Sequence, residues 1–427
     1  MNVLLVGSGA REHAIAWKLR QSPRLDELLV APGNPGTAEL GTNLALVDSD
    51  FDGIVRACRD QKIDLVIVGS EEPLAAGLVD RLAVEGIAAF GPTRAAAEIE
   101  SSKVFAKELM TRHSIPTAPF AVFDNEELAR GHVEGKSEAL VVKADGLAKG
   151  KGVIVARSRA EALEALNVMM TRRVFGAAGD RVIVEERLSG REVSAHAFCD
   201  GQTVAHMPFS CDHKPVFDGD HGPNTGGMGA YSPPDWLDEP TAEAIRSRIT
   251  EAAARAMLGE GRPYRGVLYP GLMVTADGPR VIEFNCRFGD PETQVLLPRL
   301  ESDLLEVLWG VANNRLHEVE LRWSADVCVG VVAASGGYPG KYETGFAIEG
   351  LSDVDPDVRV FHAGTRRSEN GTLVTAGGRV LTVVASGRTL SEARQKAYRN
   401  LERIRFRGMH YRRDIAAVPH DGSAEGA

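Results

Sequence analysis

The sequence predicts a multidomain chain of α/β and α+β class. An open, mostly parallel α/β sheet comes first, then a central unit bearing a mobile hairpin, then a small C-terminal α+β unit. Three observations predict this. Residues 1–101 alternate short apolar runs, each ending in Gly or Pro, with helical stretches, which is the pattern of a parallel sheet. Residues 138–156, EALVVKADGLAKGKGVIVA, read as two β-branched strands flanking a glycine- and lysine-rich tip. Residues from about 326 to 415 are strand-rich and end in one amphipathic helix. With 427 residues the chain exceeds one ordinary domain. The divisions expected are 1–101, 102–325 (with a lid subdomain over about 120–187) and 326–427.

The first unit opens with a buried strand pattern, Asn2–Gly7, and a helix through Leu19. Leu28–Ala31, Leu65–Gly69 and Ala88–Gly91 are further strand candidates. Ligands of such sheets sit beyond the carboxyl ends of strands, which points to two loops, Gly7–Glu12 and Gly69–Pro73. GSGARE invites a dinucleotide reading. Glu12 at the third glycine position opposes it, and so does the absence of an acid after Ala31-Pro32-Gly33. What remains is a helix N-terminus whose amides, with Arg11, suit a phosphate monoester.

A helix Lys103–His113 follows, capped by Ser101 or Ser102 and ended before Ile115-Pro116. The DGLAKGKG hairpin is not a P-loop: three residues separate Gly146 from Gly150, Gly152 stands where Ser or Thr is needed, and a strand rather than a helix follows. A glycine tip on a hairpin reads instead as a lid over phosphates. After a helix near Arg159–Thr171 comes the strand Val182–Glu185. At its end Glu185, Glu186 and Leu188 can offer backbone groups to an adenine edge, and Glu192 can accept a ribose hydroxyl. Lys103 and Lys143 are candidate triphosphate cations. In RVIEFNCRFGDPETQ, Glu283 and Asn285 lie two apart on a strand and share a face. That pair suits Mg²⁺, which takes few protein carboxylates beside waters and phosphates. Arg287 shares the face if the strand continues, where a cation can stabilise a transferring phosphoryl group, whereas Cys286 points to the core. In the last unit the helix Ser391–Ile404 carries Ala393, Ala397, Leu401 and Ile404 on one face.

The order Lys103, Lys143, glycine-rich hairpin, Glu-Glu hinge and Glu-x-Asn strand resembles the ATP-grasp superfamily. Within it, GSGAREHA, DHKPVFDGDHGPNTGGMGAYSP and RFGDPETQ are similar to the phosphoribosylamine–glycine ligases, from residue 1 to about 415. The resemblance implies ligation of glycine to 5-phosphoribosylamine with ATP and Mg²⁺ (or Mn²⁺), through glycyl phosphate, in de novo purine synthesis. It implies that Glu283 and Asn285 hold the metal, that Lys103, Lys143 and the lid residues Gly146, Gly150, Lys151 and Gly152 hold ATP phosphates, and that Glu185, Glu186, Leu188 and Glu192 frame the nucleoside. Gly9, Arg11 and Glu71 fall towards the ribosylamine. Asp212, Lys214, Arg287 and Asp290 fall at the reacting centre with the loop Gly226-Gly227-Met228. The strand before Glu-x-Asn offers only Pro270 and Gly271 where many relatives carry another acid. One synthetase-like unit implies no fused second enzyme.

The bulk composition fits. A net charge of −10 argues against a nucleic-acid partner. Five cysteines, odd in number and without C-x-x-C pairs, suggest neither a disulfide frame nor a zinc site, so a cytoplasmic setting is expected. No apolar run approaches 18 residues, so no membrane partner is expected. The oligomeric state is open, a monomer being allowed. The tail PHDGSAEGA is expected to be disordered. Competing readings are another ATP-grasp carboxylate–amine ligase, an NAD(P)-dependent dehydrogenase and a nucleotide-sensing module without turnover.

Overall fold

The computed structural model describes residues 1–136, 139–147 and 152–417. Gly150, Lys151 and the terminal PHDGSAEGA segment lie outside the described residues.

The N-terminal unit is a parallel sheet of β1 (Asn2–Gly7), β2 (Glu27–Pro32), β3 (Thr42–Asn43), β4 (Leu65–Val68) and β5 (Ala88–Phe90), ordered β3-β2-β1-β4-β5. Val3 to Val6 and Leu65 to Val68 are essentially buried, because helices cover both faces and leave no room for alternation. The strand order switches at β1, so the loops after β1 and β4 lie side by side at the carboxyl edge. The glycine signal there works differently from the expected phosphate cradle. Glu12 is the third helical residue of a capping box and accepts the Gly9 N–H at 2.6 Å. A side chain on Gly7 or Gly69 would strike Glu12. That carboxylate therefore takes the amide that a phosphate was expected to use.

The second sheet has β6 (Phe120–Phe123), β7 (Leu140–Ala144), β8 (Val153–Ala156) and β9 (Val182–Glu186) in the antiparallel order β6-β9-β7-β8. The β7–β8 pairing is the expected hairpin. The helix Arg159–Leu166 ends earlier than expected and continues as a π turn, Asn167–Thr171. Val142, Leu166, Met169 and Val184 belong to a hydrophobic core separate from the two others. A unit with its own core can rotate as a body.

A third sheet is antiparallel, with β10 (Arg191–Ser194), β11 (Ala197–Asp200), β12 (Val204–His206), β17 (Arg265–Thr275) and β18 (Gly278–Asn285), β17 at its centre. The last sheet runs β13-β16-β19-β23-β20, from β13 (Cys211–Asp212), β16 (Gly229–Ser232), β19 (Val327–Ala334), β20 (Arg359–His362) and β23 (Arg379–Gly387), with a separate hairpin of β21 (Thr365–Arg367) and β22 (Leu373–Thr375) between β20 and β23 in the chain. Two of its strands thus come from before residue 326, so this sheet crosses the expected boundary. Between β13 and β16 lies a hairpin, β14 (Pro215–Phe217) and β15 (His221–Asn224). The helix Leu390–Leu401 buries Ala393, Ala397 and Leu401, with Ile404 beyond its end, against this sheet.

Candidate active site

A cleft of about 480 Å³ opens where the sheets meet. Its wall takes Arg11 and Glu71 from the first unit, Lys103, Lys143, Gly146 and Gly152 from around the lid, and Glu283, Asn285 and Arg287 from the end of β18. Asp212, Lys214, Gly226 and Asp290 complete it, with Tyr338 and Arg379 from the last unit.

The metal candidates come first. In β18, Glu283 and Asn285 face the cleft together, as their spacing requires, and Cys286 is buried in the core. Gly271 pairs with Glu283 and Pro270 with Phe284 in the neighbouring strand, so β17 adds no acid there. Burial pushes the Glu283 carboxyl up, but Lys214, Lys143, Lys103 and Arg287 outweigh it and hold the group below the usual carboxylate range. Lys214 Nζ stands 3.7 Å from Glu283, so this carboxylate already attracts a cation. One carboxylate and one amide oxygen, without imidazole or thiolate, form a hard donor set that fits Mg²⁺ or Mn²⁺ carrying waters and phosphates. Among the described residues no group of three or more His, Cys, Asp and Glu side chains is arranged to hold a metal by itself, so substrate oxygens would have to complete the shell.

The lysines form a second cluster. Ser102 caps the helix Lys103–Arg112, its hydroxyl accepting the Phe105 N–H, and this sets Lys103 at the first turn. Lys103 Nζ donates to the Gly146 carbonyl at 2.7 Å, which ties the lid base to this helix. Lys143 donates to the Ile282 carbonyl at 2.9 Å and pairs with Glu185 at 2.5 Å. Glu185 also pairs with Lys107, whose Nζ donates to Thr117 at 2.7 Å. Burial pulls the Lys107 ammonium down to about 8 against the pull of Glu185. Sequence reading missed Lys107. Glu185 therefore acts through its side chain, as the counter-ion of two lysines. The Glu186 N–H is spent on the Pro119 carbonyl, and Glu186 itself pairs with Lys136 at 3.7 Å. Glu185, Glu186, Leu188 and Glu192 do not line this cleft; Glu192 reaches it only through Lys214, 3.3 Å away.

Arg287 faces the first unit. Its Nε donates to Glu71 at 2.9 Å, Nη1 to the Phe288 carbonyl at 3.1 Å, and Nη2 lies 3.5 Å from Glu100. The guanidinium expected on the phosphoryl group is thus engaged by two acids. Burial raises the Glu71 carboxyl, yet Arg287 and Arg11 bring it down to about 2. Arg11 itself is held by Glu12 at 2.5 Å and the Phe288 carbonyl at 3.2 Å. Glu100, unnoticed in the sequence, accepts the Cys286 N–H at 2.7 Å and so braces the end of β18.

The far end of the cleft is acidic and closed by the last unit. Arg379 donates to the Asp290 carbonyl at 2.8 Å, pairs with its carboxylate at 3.0 Å and donates to the Gly226 carbonyl. Tyr338 accepts the Gly226 N–H at 3.0 Å. Burial, then Glu292, drives the Asp212 carboxyl well above its usual range. Its Oδ1 is buried without a hydrogen-bond partner. Glu292 accepts from Tyr269 and, at 3.1 Å, from Ser194. Lys214 keeps its charge: burial opposes it, but Glu192, Glu283, Tyr269 and Asp212 raise it well above the ordinary lysine range. Gly227 has φ +107, and a side chain there would meet Pro291 and Asp212. Met228 is wholly buried in the core, away from the cleft, and Gly9 is outside the cleft wall, near Asp290.

Comparison with known proteins agrees with this architecture. Three domains of phosphoribosylglycinamide synthetase match in turn: the N domain over 1–100, the ATP-grasp (A) domain over 101–293 and the C domain over 328–418. The chain is 50% identical over 98% of its length to a phosphoribosylamine–glycine ligase of Halalkalibacterium halodurans, covering 97% of that protein. It is 49% identical over 97% of its length to another from Rhodopirellula baltica, again covering 97% of it. The crystal structure of a phosphoribosylamine–glycine ligase from Thermotoga maritima superposes with TM-score 0.86 at 35% identity, over 97% of this chain and all of that one. A biotin carboxylase from Campylobacter jejuni shares the fold at TM-score 0.72 and 16% identity, covering 96% of this chain and 92% of that one. The chain belongs to the phosphoribosylglycinamide synthetase family.

Proposed function

We propose that this protein is a phosphoribosylamine–glycine ligase, joining glycine to 5-phosphoribosylamine with release of ADP and phosphate in purine synthesis. The relatives named above support it. The observation that carries it is one cleft with two chemically distinct ends. Lys103, Lys143 and the Glu283/Asn285 pair suit a nucleoside triphosphate, while Asp212, Asp290 and Arg379 suit a small zwitterionic amino acid beside it.

A carboxylate is a poor electrophile, so amide formation needs activation. A glycine carboxylate oxygen attacks the γ-phosphorus, the bond to ADP breaks, and glycyl phosphate forms. The amine of phosphoribosylamine then attacks the acyl carbon. Phosphate leaves with that carboxylate oxygen, and an amine proton passes to a base. Both steps depend on positioning and charge stabilisation. Lys103 and Lys143 offset triphosphate charge, Lys214 places a fixed ammonium beside Glu283, and the buried Asp212 Oδ1 offers an acceptor to a substrate N–H. A Mg²⁺ or Mn²⁺ ion held by Glu283 and Asn285 would supply neutralisation of phosphate oxygens. The β7–β8 hairpin, on a unit with a separate core, is suited to close and exclude water from an acyl phosphate. The five cysteines, all buried thiols, suit a reducing cytoplasm.

The test is ADP release with ATP, glycine and freshly generated phosphoribosylamine, each omitted in turn. Sustained release only with all three is expected. Release that ignores phosphoribosylamine but responds to another amine overturns the substrate assignment.

A further inference from the structure

The hairpin β14–β15 presents a problem of stability. Asp212 and Lys214 lie at its base, where the Lys214 carbonyl accepts from both the Thr225 N–H (2.8 Å) and its hydroxyl (2.7 Å). Residues 221–224 are exposed and Phe217 is 52% exposed. Val216 alone of its two strands is buried in the core, and a two-stranded hairpin by itself is marginal in water, so the rest of its order must come from elsewhere.

The segment 410–416 supplies most of it at the tip, while the base is also held by the His213 N–H to the Gly229 carbonyl at 2.9 Å. His410 pairs through its backbone with Ala334, and its Nε2 donates to the Val216 carbonyl at 2.9 Å. Arg412, 1% exposed, is the centre of the segment. Its Nη1 donates to the Pro215 carbonyl at 3.0 Å and to Asp220 at 2.8 Å, and Nε and Nη2 donate to Asp414 at 2.7 and 2.6 Å. Asp414 accepts the Gly219 N–H at 2.8 Å, and the Arg413 N–H goes to Asp218 at 2.7 Å. Ala416 N–H donates to His213 Nε2 at 3.2 Å, between Asp212 and Lys214. From behind, the helix Leu390–Leu401 holds the segment: Arg394 donates to the Ile415 and Arg413 carbonyls at 3.0 and 2.6 Å, and Tyr398 to the Arg412 carbonyl at 2.7 Å.

We propose that residues 410–416 form a strap that positions Asp212 and Lys214 for the amino-acid end of the reaction, with Arg412 and Asp414 as positioning residues. They touch no reacting atom. They fix the hairpin tip, and through His213 its base, so loosening them shifts Asp212 and Lys214, and with Lys214 the charge beside Glu283, while Lys103 and Lys143 stay tied to the Gly146 and Ile282 carbonyls. The kinetic form of this proposal rests on the ligase reading above; its structural form does not.

The experiment uses the full chain with Asp414→Asn, which removes a charge at nearly constant volume, and Arg412→Lys, which shortens the fork. Amide exchange across 213–225 in the free protein is expected to quicken at least tenfold in both, with exchange in β7 and β18 unchanged. In turnover, KM for glycine is expected to rise at least tenfold while the dissociation constant of ATP measured without Mg²⁺ stays within twofold. Should Arg412→Lys fail to fold, Asp414→Asn decides alone. Unchanged exchange over 213–225 in folded Asp414→Asn protein overturns the strap. So does a parallel loss of glycine and ATP affinity, which marks general destabilisation. Wild type run alongside separates the two readings: no glycine-dependent ADP release there refutes the ligase assignment, and the exchange data still judge the strap.

Discussion

Replacing Glu283 by Gln keeps the shape of the side chain and removes one negative charge from a ring of cations. The nearest is Lys214, 3.7 Å away. Two unit charges at that distance interact by about 4 kcal/mol at an effective dielectric of ~20, less where the open cleft admits solvent. Lys103, Lys143 and Arg287 act in the same direction. In turnover the carboxylate would hold the ion that neutralises phosphate oxygens, and loss of one such electrostatic stabiliser lowers kcat by about 10²–10³. Steady-state ADP release at saturating glycine and phosphoribosylamine, titrated with Mg²⁺, measures the effect. The Gln variant is expected to need more Mg²⁺ for half-maximal rate and to remain about 10²-fold or more slower at saturation. A circular-dichroism melt close to wild type establishes that it folds. A folded Glu283→Gln protein with wild-type rate at limiting Mg²⁺ refutes both the ligand assignment and the electrostatic reasoning.

Gly227→Val places a side chain at φ +107 against Pro291 and Asp212; strain of this kind costs about 1–3 kcal/mol, so a lowered Tm with a collapse of glycine-dependent turnover is expected, and an unchanged melt counts against the close approach. His13 Nδ1 accepts the His362 N–H at 2.8 Å, and burial lowers the two imidazoles to about 3 and about 4. Both stay neutral in the fold while the unfolded chain takes up protons below its ordinary histidine pKa, so stability is full above about 6.5 and falls as pH drops towards 4. At pH 5.5 the loss is about 1.4 kcal/mol per histidine. A guanidinium midpoint equal at pH 7.5 and 5.5 would contradict this; burial lowers His196 and His213 to about 3 and about 4 as well, so His13→Gln should remove about a quarter of the change.

The sequence made legible whatever is local. β1 spans the expected Asn2–Gly7, the β7–β8 hairpin follows from β-branched runs around glycines, and Glu283 and Asn285 share a face because a strand has period two. What escaped depends on distant pairing. Arg379 meets Asp290 across 89 positions, Glu100 meets the Cys286 amide across 186, and Lys107 reads as an ordinary helix lysine until Glu185 is placed beside it. The sheet built from residues on both sides of 326 escaped for the same reason: β16 pairs with β19 without any local signal. Glu12 looked like a defect in a glycine motif, whereas its position three residues after the helix cap makes it a capping-box acid. Arg287 lines the same cleft as Glu283 and Asn285, but its guanidinium turns to Glu71 and Glu100, whose proximity no spacing announces.

In the proposed reaction ATP activates the glycine carboxylate before the amine attacks, and the fate of a carboxylate oxygen distinguishes this route from direct condensation. Glycine labelled with ¹⁸O in its carboxylate is converted in a single turnover with unlabelled ATP and phosphoribosylamine, and the released phosphate is analysed by mass. If glycyl phosphate forms in the cleft, one carboxylate oxygen bridges to the γ-phosphorus and leaves with it, so each phosphate carries one ¹⁸O. Unlabelled phosphate accompanying glycinamide ribonucleotide would mean that the carboxylate oxygen left as water, and it would contradict the acyl-phosphate route and the roles assigned to Lys214 and Glu283.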